Sequence, residues 1–197
     1  MGAAGDDGHK ACARLDFRRQ RLRRDAARAE LSGRVAPPAE GAAVGGGQRF
    51  VAIAAGAAHT CGVSADGRAF CWGRNTAGQL GTGGNSAQLM PSQVETSARF
   101  VTVVTGSTHS CAKTTAGLVF CWGGNTYGQL GDGSTTSQSR PVRVAGGPYA
   151  ALSASGAHTC ATLDGATVCW GYNVDGQLGD GTRAHRTSPM RVTTAAH

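Results

Sequence analysis

A motif that recurs about every fifty residues constrains the fold of this chain more than any other feature of its sequence. Equivalent glycines stand at Gly56, Gly106 and Gly156, a spacing of 50 residues each time. Each unit continues through a C-W-G run, an N-x-x-G-Q-L-G run and a P-x-x-V run. A period of roughly 40–50 residues with several short strands per unit is typical of a propeller blade. We therefore expect residues 50–197 to be all-β: a partial β-propeller of three four-stranded antiparallel blades, with almost no helix.

The composition supports this fold class and excludes others. Glycine accounts for 31 of 197 residues, which argues against a helix-rich architecture. Charged residues make up 16% of the chain, against a usual value of about 25%, so a long charged disordered protein is not indicated. No apolar run approaches the roughly 18 residues that span a bilayer.

The first 49 residues carry no repeat and differ in composition from the rest. They hold ten Lys and Arg against six Asp and Glu, or +4 of the chain's formal charge of +7. An Arg-rich stretch over Arg14–Leu31 favours a short helix, and Ala36–Gly47 is typical of a flexible linker. We expect a disordered or helical tail at 1–49, with blades at 50–99, 100–148 and 149–197. The alternative for the tail is that its arginine cluster binds nucleic acid or a membrane. Residues 1–49 contain no apolar run that would serve as the core of a signal peptide.

The turn lengths predict how the strands pair within each unit. Asp164-Gly165 indicates a two-residue type I′ hairpin turn, and residues 65–67 and 115–117 fit three-residue loops that end in glycine. Pairing outward from these loops places the two cysteines of each unit opposite each other: Cys61 and Cys71, Cys111 and Cys121, and Cys160 and Cys169. Two different loop lengths thus give the same cross-strand pairing.

Directly opposed residues lie within reach of a disulfide bond. We favour three disulfides, one in each blade, with Cys12 left alone. Two alternatives stay open. The cysteines are free thiols packed as small apolar groups, or a metal is held by sets such as His59, Cys61 and Cys71, although the repeat offers no fourth ligand at constant spacing.

The other repeated residues are interpreted as structural. A catalytic site needs one set of groups held together, whereas the histidines occur once in each unit with no Asp or Ser partner at a fixed spacing. We therefore expect each histidine ring to form a hydrogen bond with the backbone of its own blade. The tryptophans should point away from the cysteines and pack between blades. The N-x-x-G-Q-L-G runs should supply Asn and Gly for a left-handed turn, with Leu plugging it. The residues of these sets are His59, His109 and His158; Trp72, Trp122 and Trp170; Gly78, Gly128 and Gly176; and Leu80, Leu130 and Leu178. No catalytic, cofactor-binding or metal residue is predicted.

The motifs A-G-x-x-H-T-C, C-W-G-x-N-x-x-G-Q-L-G-D-G and P-x-x-V together resemble the regulator-of-chromosome-condensation repeat. The resemblance covers residues 50–197 and implies a β-propeller, usually of seven four-stranded blades. The cysteine-bearing form is most similar to the bacterial, often exported, branch. This chain has three units rather than seven, and its first 49 residues match nothing in the family.

The leading interpretation is a non-enzymatic protein-binding scaffold, exported to the extracellular space or periplasm. The resemblance also implies alternatives: a cytoplasmic guanine-nucleotide exchange factor or regulator acting on a small GTPase, as founding members act on Ran, or a secreted enzyme inhibitor. Reduced cysteines would favour the cytoplasmic alternative. A light-sensing role is disfavoured. The plant UV-B photoreceptor family uses tryptophans in a G-W-R-H-T motif, whereas the residues before the histidines here are Ala58, Thr108 and Ala157. Three blades leave open edges, which favour a fragment of a longer propeller or else self-association.

Overall fold

The computed structural model describes residues 48–193, so the predicted helix near Arg14–Leu31 and the linker lie outside the described residues. The division of the chain at residue 49 therefore stays a prediction. Residues 48–193 form twelve strands and no helix, and so contain no helix long and apolar enough to cross a membrane. The strands are β1 (Phe50–Ala55), β2 (His59–Ser64), β3 (Ala69–Gly73), β4 (Gln88–Gln93), β5 (Thr102–Thr105), β6 (His109–Lys113), β7 (Val119–Gly123), β8 (Gln138–Arg143), β9 (Tyr149–Ser155), β10 (His158–Leu163), β11 (Ala166–Gly171) and β12 (Arg186–Arg191).

Each repeat unit forms one antiparallel sheet of four strands in chain order. The three sheets are β1–β4, β5–β8 and β9–β12. The first strands of neighbouring sheets, β1 with β5 and β5 with β9, contact each other, as the inner strands of adjacent blades do. This arrangement is a partial β-propeller, and the predicted fold class is confirmed.

The strand register follows the turn lengths. Cys61 pairs with Cys71 and Cys111 with Cys121, and the third unit pairs Cys160 with Cys169. In the third unit, the turn residues Asp164 and Gly165 both have positive φ, 51° and 75°, as a type I′ turn requires. The register predicted from the loops is the register observed.

The apolar cores lie between neighbouring blades. One cluster joins residues of the first blade to Phe100, Val103, Ala112 and Trp122 of the second. The other cluster joins the second blade to Tyr149, Ala161, Val168 and Trp170 of the third. Each blade is therefore stabilised largely through its neighbour, as in other repeat architectures.

Candidate interaction surface

Neighbouring blades meet at a junction with two sides. The loop side belongs to the earlier blade and carries its histidine and the glutamine of N-x-x-G-Q-L-G. The strand side belongs to the later blade and carries a Ser or Thr hydroxyl and the C-W-G tryptophan. At the first junction, Ser110 Oγ and Trp122 Nε1 donate to the carbonyl oxygen of Gln79 at 2.9 and 3.0 Å. His59 Nε2 lies 2.8 Å from Ser110 Oγ.

The second junction repeats the first with a threonine in place of the serine. Thr159 Oγ1 and Trp170 Nε1 donate to the carbonyl oxygen of Gln129 at 3.0 and 2.9 Å. His109 Nε2 lies 2.8 Å from Thr159 Oγ1. The junction is therefore a fixed set of contacts that uses the same repeat positions each time.

The histidines bond across blades, and the prediction that they bond backbone within their own blade was wrong for His59 and His109. Their Nε2 atoms are buried and need a partner, and the hydroxyl of the next blade is the group within reach. Burial lowers the pKa of His59 to about 4 and that of His158 below its ordinary value. For His109, burial first and the neighbouring histidine charges second lower the pKa to about 3. At neutral pH these rings are uncharged.

The tryptophans and cysteines face opposite ways along each blade. Trp122 is fully buried in the apolar cluster that contains Cys61 and Cys71 of the preceding blade. Trp170 is likewise fully buried in the cluster that contains the cysteines of the second blade. Trp72 has no preceding blade among residues 48–193; it is half-buried and stacks on Phe50, with ring centroids 5.6 Å apart.

The N-x-x-G-Q-L-G loop is built differently from the prediction in one respect. The leucines Leu80, Leu130 and Leu178 are fully buried, and Gly78, Gly128 and Gly176 have φ of 80°, 81° and 78°. The asparagine does not share the left-handed turn, since Asp164 alone among the non-glycine residues of 48–193 has positive φ. Instead, Asn75 Oδ1 accepts from Leu80 N at 2.9 Å, and Asn75 Nδ2 donates to Gly84 O at 2.8 Å. A buried side chain thus closes the loop, because its amide satisfies both donors and acceptors of the backbone.

A cluster of aromatic side chains lies where the second and third blades meet. Tyr127 and Tyr172 are in edge contact with centroids 4.9 Å apart, and His185 stacks on Tyr172 at 5.1 Å. The backbone N–H of Asn173 donates to His185 Nδ1 at 3.1 Å, which orients the imidazole ring. Tyr127 is 37% exposed. We call Tyr127, Tyr172 and His185 the aromatic cluster.

A cavity of about 580 Å³ opens beside the aromatic cluster. Tyr127 and Tyr172 line it together with Gln129, His158 and Gln177. It therefore combines aromatic faces with amide and imidazole groups at the seam between two blades. Such a mixture suits a polar and aromatic contact with another molecule.

Sequence reasoning missed the aromatic cluster because it followed the residues that repeat. Tyr172 takes the repeat position of Arg74 and Gly124, and Tyr127 that of Ala77. The available signal was the contrast between units: a large aromatic residue at a position that is small or charged elsewhere. The repeated residues build the structure common to all blades. The residues that differ between units make the junction of the second and third blades different from the junction of the first and second.

The regulator of chromosome condensation (RCC1) repeat model matches residues 66–112, 116–162 and 164–197. A second model with the same description matches residues 50–79 and 100–129. The chain belongs to the RCC1 repeat family. Each long match begins in or just after a β-hairpin turn of one blade, and the first two end in the second strand of the next blade. The RCC1 sequence repeat therefore spans a blade junction.

Three solved structures resemble the chain in fold. A crystal structure of human WBSCR16 is 27% identical with a TM-score of 0.67, covering 76% of this chain and 41% of that one. Prp20p from Saccharomyces cerevisiae is 18% identical with a TM-score of 0.68, covering 76% and 40%. Yeast RCC1 (Prp20) in its complex with Kap60 is 17% identical with a TM-score of 0.65, covering 76% and 38%. The chain spans about 40% of the length of these solved relatives.

The six repeat cysteines of this RCC1 chain lie at disulfide distance. The Sγ atoms are 2.09 Å apart in the first two blades and 2.13 Å apart in the third. Cys61 Sγ also lies 3.5 Å from Ser110 Oγ, so this pair belongs to a blade junction. Within residues 48–193 no three His, Cys, Asp or Glu side chains are grouped to hold a metal ion.

We expect non-reducing peptide mass spectrometry to find each cysteine linked to its partner in the same blade in protein made in an oxidising compartment. Each bridge joins residues 9 or 10 apart. On the chain-entropy model, each such bridge stabilises the fold by about 2–3 kcal/mol, so reduction should lower the denaturation midpoint. The seventh cysteine, Cys12, serves as an internal control for alkylation. Six free thiols in that sample would contradict the expectation.

Proposed function

We propose that this chain is a non-enzymatic protein-binding scaffold and that the aromatic cluster is its contact surface. The observation that carries the proposal is the placement of Tyr127, Tyr172 and His185 at one seam, on positions that the other units fill differently. The repeated histidines and tryptophans at the two internal junctions bond across blades, and the repeated leucines are fully buried. The unit-specific side chains are the groups left to contact a partner.

The chemistry of the cluster fits a protein partner. Tyrosine is enriched at protein interfaces because a rigid ring contributes apolar area while its hydroxyl still bonds water or a polar group. Here the rings support one another at centroid distances of 4.9–5.1 Å, so little side-chain freedom is left to lose on binding. The adjoining cavity offers room for a side chain of the partner.

The fold is known to serve this purpose elsewhere. The Prp20p structure is described with its binding to Gsp1p and histones, and yeast RCC1 has been crystallised bound to Kap60. At identities of 17–18% these proteins share the fold with this chain, and partner identity does not follow from fold. They support a protein partner as a class.

We place this scaffold in an oxidising compartment, extracellular or periplasmic. Three cysteine pairs at disulfide distance support that location, because such bridges persist mainly outside the reducing cytosol. The pairs of the first two blades also belong to the apolar clusters at the two blade junctions, so their redox state bears on the packing between blades.

The test is capture of a protein partner from the native exported fraction, comparing wild type with Tyr127→Ala and Tyr172→Ala. We expect both variants to lose at least about tenfold in affinity for that partner, as removal of interface anchors does. Arg74→Ala is the matched control: it alters the same repeat position as Tyr172, is exposed, and lies outside the cluster. Equal capture by all four proteins would overturn the proposal.

A second arm tests the exchange-factor alternative. The reduced protein is mixed with a small GTPase loaded with labelled nucleotide, and nucleotide release is followed. We expect no acceleration. Acceleration that survives in Tyr127→Ala and Tyr172→Ala would replace the scaffold proposal with a cytoplasmic regulator.

A further inference from the structure

The cavity beside the aromatic cluster lies at the junction of the second and third blades. Residues of both blades line it, among them Thr108, Thr126, Tyr127 and Gln129 of the second and Ala157 and Tyr172 of the third. Both blades lie within residues 48–193, so these walls do not depend on what precedes or follows them in the chain. The volume of about 580 Å³ falls in the range of roughly 300–1,000 Å³ that is typical of ligand pockets.

The backbone acceptors of the cavity wall are already used within the protein. The carbonyl oxygens of Thr108, Gly156 and Ala157 each accept from a backbone N–H at 2.8–2.9 Å. That of Gln129 accepts from the hydroxyl and the indole of the strand side. A ligand that brought many N–H or O–H groups would find few free backbone acceptors here, and a buried donor without an acceptor is costly.

Gln129 offers a donor to the cavity. Its Oε1 accepts from Tyr127 N at 3.0 Å. Because the amide oxygen must face this backbone N–H, the NH2 group takes the other position and keeps its two donors. At the first junction, the equivalent Nε2 of Gln79 is buried without a hydrogen-bond partner, so the repeat itself supplies no acceptor for this group. The acceptor for Gln129 Nε2 is therefore water or an oxygen of a ligand in the cavity.

The cavity carries no formal charge. No Asp, Glu, Lys or Arg side chain of residues 48–193 lines it. His158 also lines it, and burial lowers the pKa of this ring below its ordinary value, so the ring is neutral at neutral pH. A charged ligand would lose hydration here without gaining a counter-charge. The rings of Tyr127 and Tyr172 instead favour an apolar, uncharged surface.

We propose that the cavity binds a proline-containing segment of the protein partner in the polyproline II conformation, an inference that rests on the proposed function. Proline has no backbone N–H, so such a segment brings carbonyl acceptors, few donors and an apolar, uncharged ring. A polyproline II helix makes no internal hydrogen bonds, which leaves its carbonyl oxygens free to accept from Gln129 Nε2. Aromatic-lined grooves bind segments of this kind in other domains. A sugar fits less well, because each of its hydroxyl groups adds a donor.

The test is titration of the full chain, labelled with ¹⁵N, with a blocked oligoproline peptide followed by NMR. We expect the peptide to shift the side-chain NH2 signal of Gln129. Tyr127→Ala should weaken binding at least about tenfold. The first unit makes the same loop with Ala77, whose N–H donates to Gln79 Oε1 at 2.9 Å, so this variant should stay folded.

A matched pair of variants isolates the amide donor. Gln129→Glu keeps an oxygen for Tyr127 N and removes the NH2 group, so it should also weaken binding at least about tenfold. Gln79→Glu makes the same change at the first junction and should bind the peptide as wild type does. Should a buried glutamate unfold the chain, Tyr127→Ala still decides the question. Oligoproline binding that is unchanged in Tyr127→Ala would overturn the inference.

Competition separates this inference from the scaffold proposal. Oligoproline should displace the captured partner from the wild-type chain. If capture depends on Tyr127 and Tyr172 but the peptide neither binds nor competes, the inference is overturned and the scaffold proposal stands. If the peptide shifts the Gln129 signal but all variants capture equally, the proline site stands and the scaffold proposal is overturned. Tighter binding of an acidic peptide or a neutral oligosaccharide than of oligoproline would also overturn the inference.

Discussion

Replacing Trp122 with alanine should lower the free energy of unfolding by about 3–5 kcal/mol, the range for a fully buried aromatic residue. Trp122 is 0% exposed, lies in the same apolar cluster as the cysteine pair of the first blade and donates to the carbonyl oxygen of Gln79 at 3.0 Å. Its loss empties the centre of a junction and leaves a buried carbonyl with one donor fewer. Chemical denaturation of both proteins, monitored by circular dichroism, measures the difference.

Trp72→Ala is the matched control for this prediction. Trp72 takes the same repeat position and stacks on Phe50, yet it is only half-buried because no blade precedes it in residues 48–193. We expect Trp72→Ala to lower the free energy of unfolding by less than half as much as Trp122→Ala does, when both are measured at a concentration where the chain is monomeric. Equal costs would show that contacts inside a blade, rather than the junction, give the tryptophan its effect.

Acidification from pH 6.5 to 4.5 should destabilise the protein by about 2 kcal/mol for each of His59 and His109, at 1.36 kcal/mol per pKa unit. Burial lowers their pKa values to about 4 and about 3, from an ordinary value of 6.5. Between these pH values the two histidines bind protons in the unfolded chain but stay mostly unprotonated in the folded chain. Stability is therefore fully present above pH 6.5 and is lost as pH falls toward the folded pKa values.

This window separates the histidines from the carboxylates. Hydrogen bonds from Ser64 and Thr182 lead the effects that lower the pKa values of Asp66 and Asp180 to about 2, from an ordinary value of 3.8. Their contribution is lost only as pH falls below about 4. Denaturation midpoints between pH 7 and 4.5 thus report the histidines. An NMR titration in which the His109 ring protonates near pH 6.5 in the folded protein would refute the prediction.

The pairing of strands could be predicted from the sequence because it depends on short-range geometry. Asp164-Gly165 and the three-residue loops fix which residues face each other a few positions away, and alternation along a strand fixes which face each side chain takes. Cys160 opposite Cys169, and Trp170 on the other face, both follow from these rules.

The partner of each histidine and the aromatic cluster were decided only by the tertiary structure. His59 and Ser110 are 51 residues apart, and His109 and Thr159 are 50 apart, so their contact exists only when two blades pack. Tyr127 and Tyr172 come from different units and meet at one seam. The repeat in the sequence determines the blade, because a blade's hydrogen bonds close within about fifty residues. Packing between blades determines which of the repeated side chains are buried, because burial depends on whether a neighbouring blade is present.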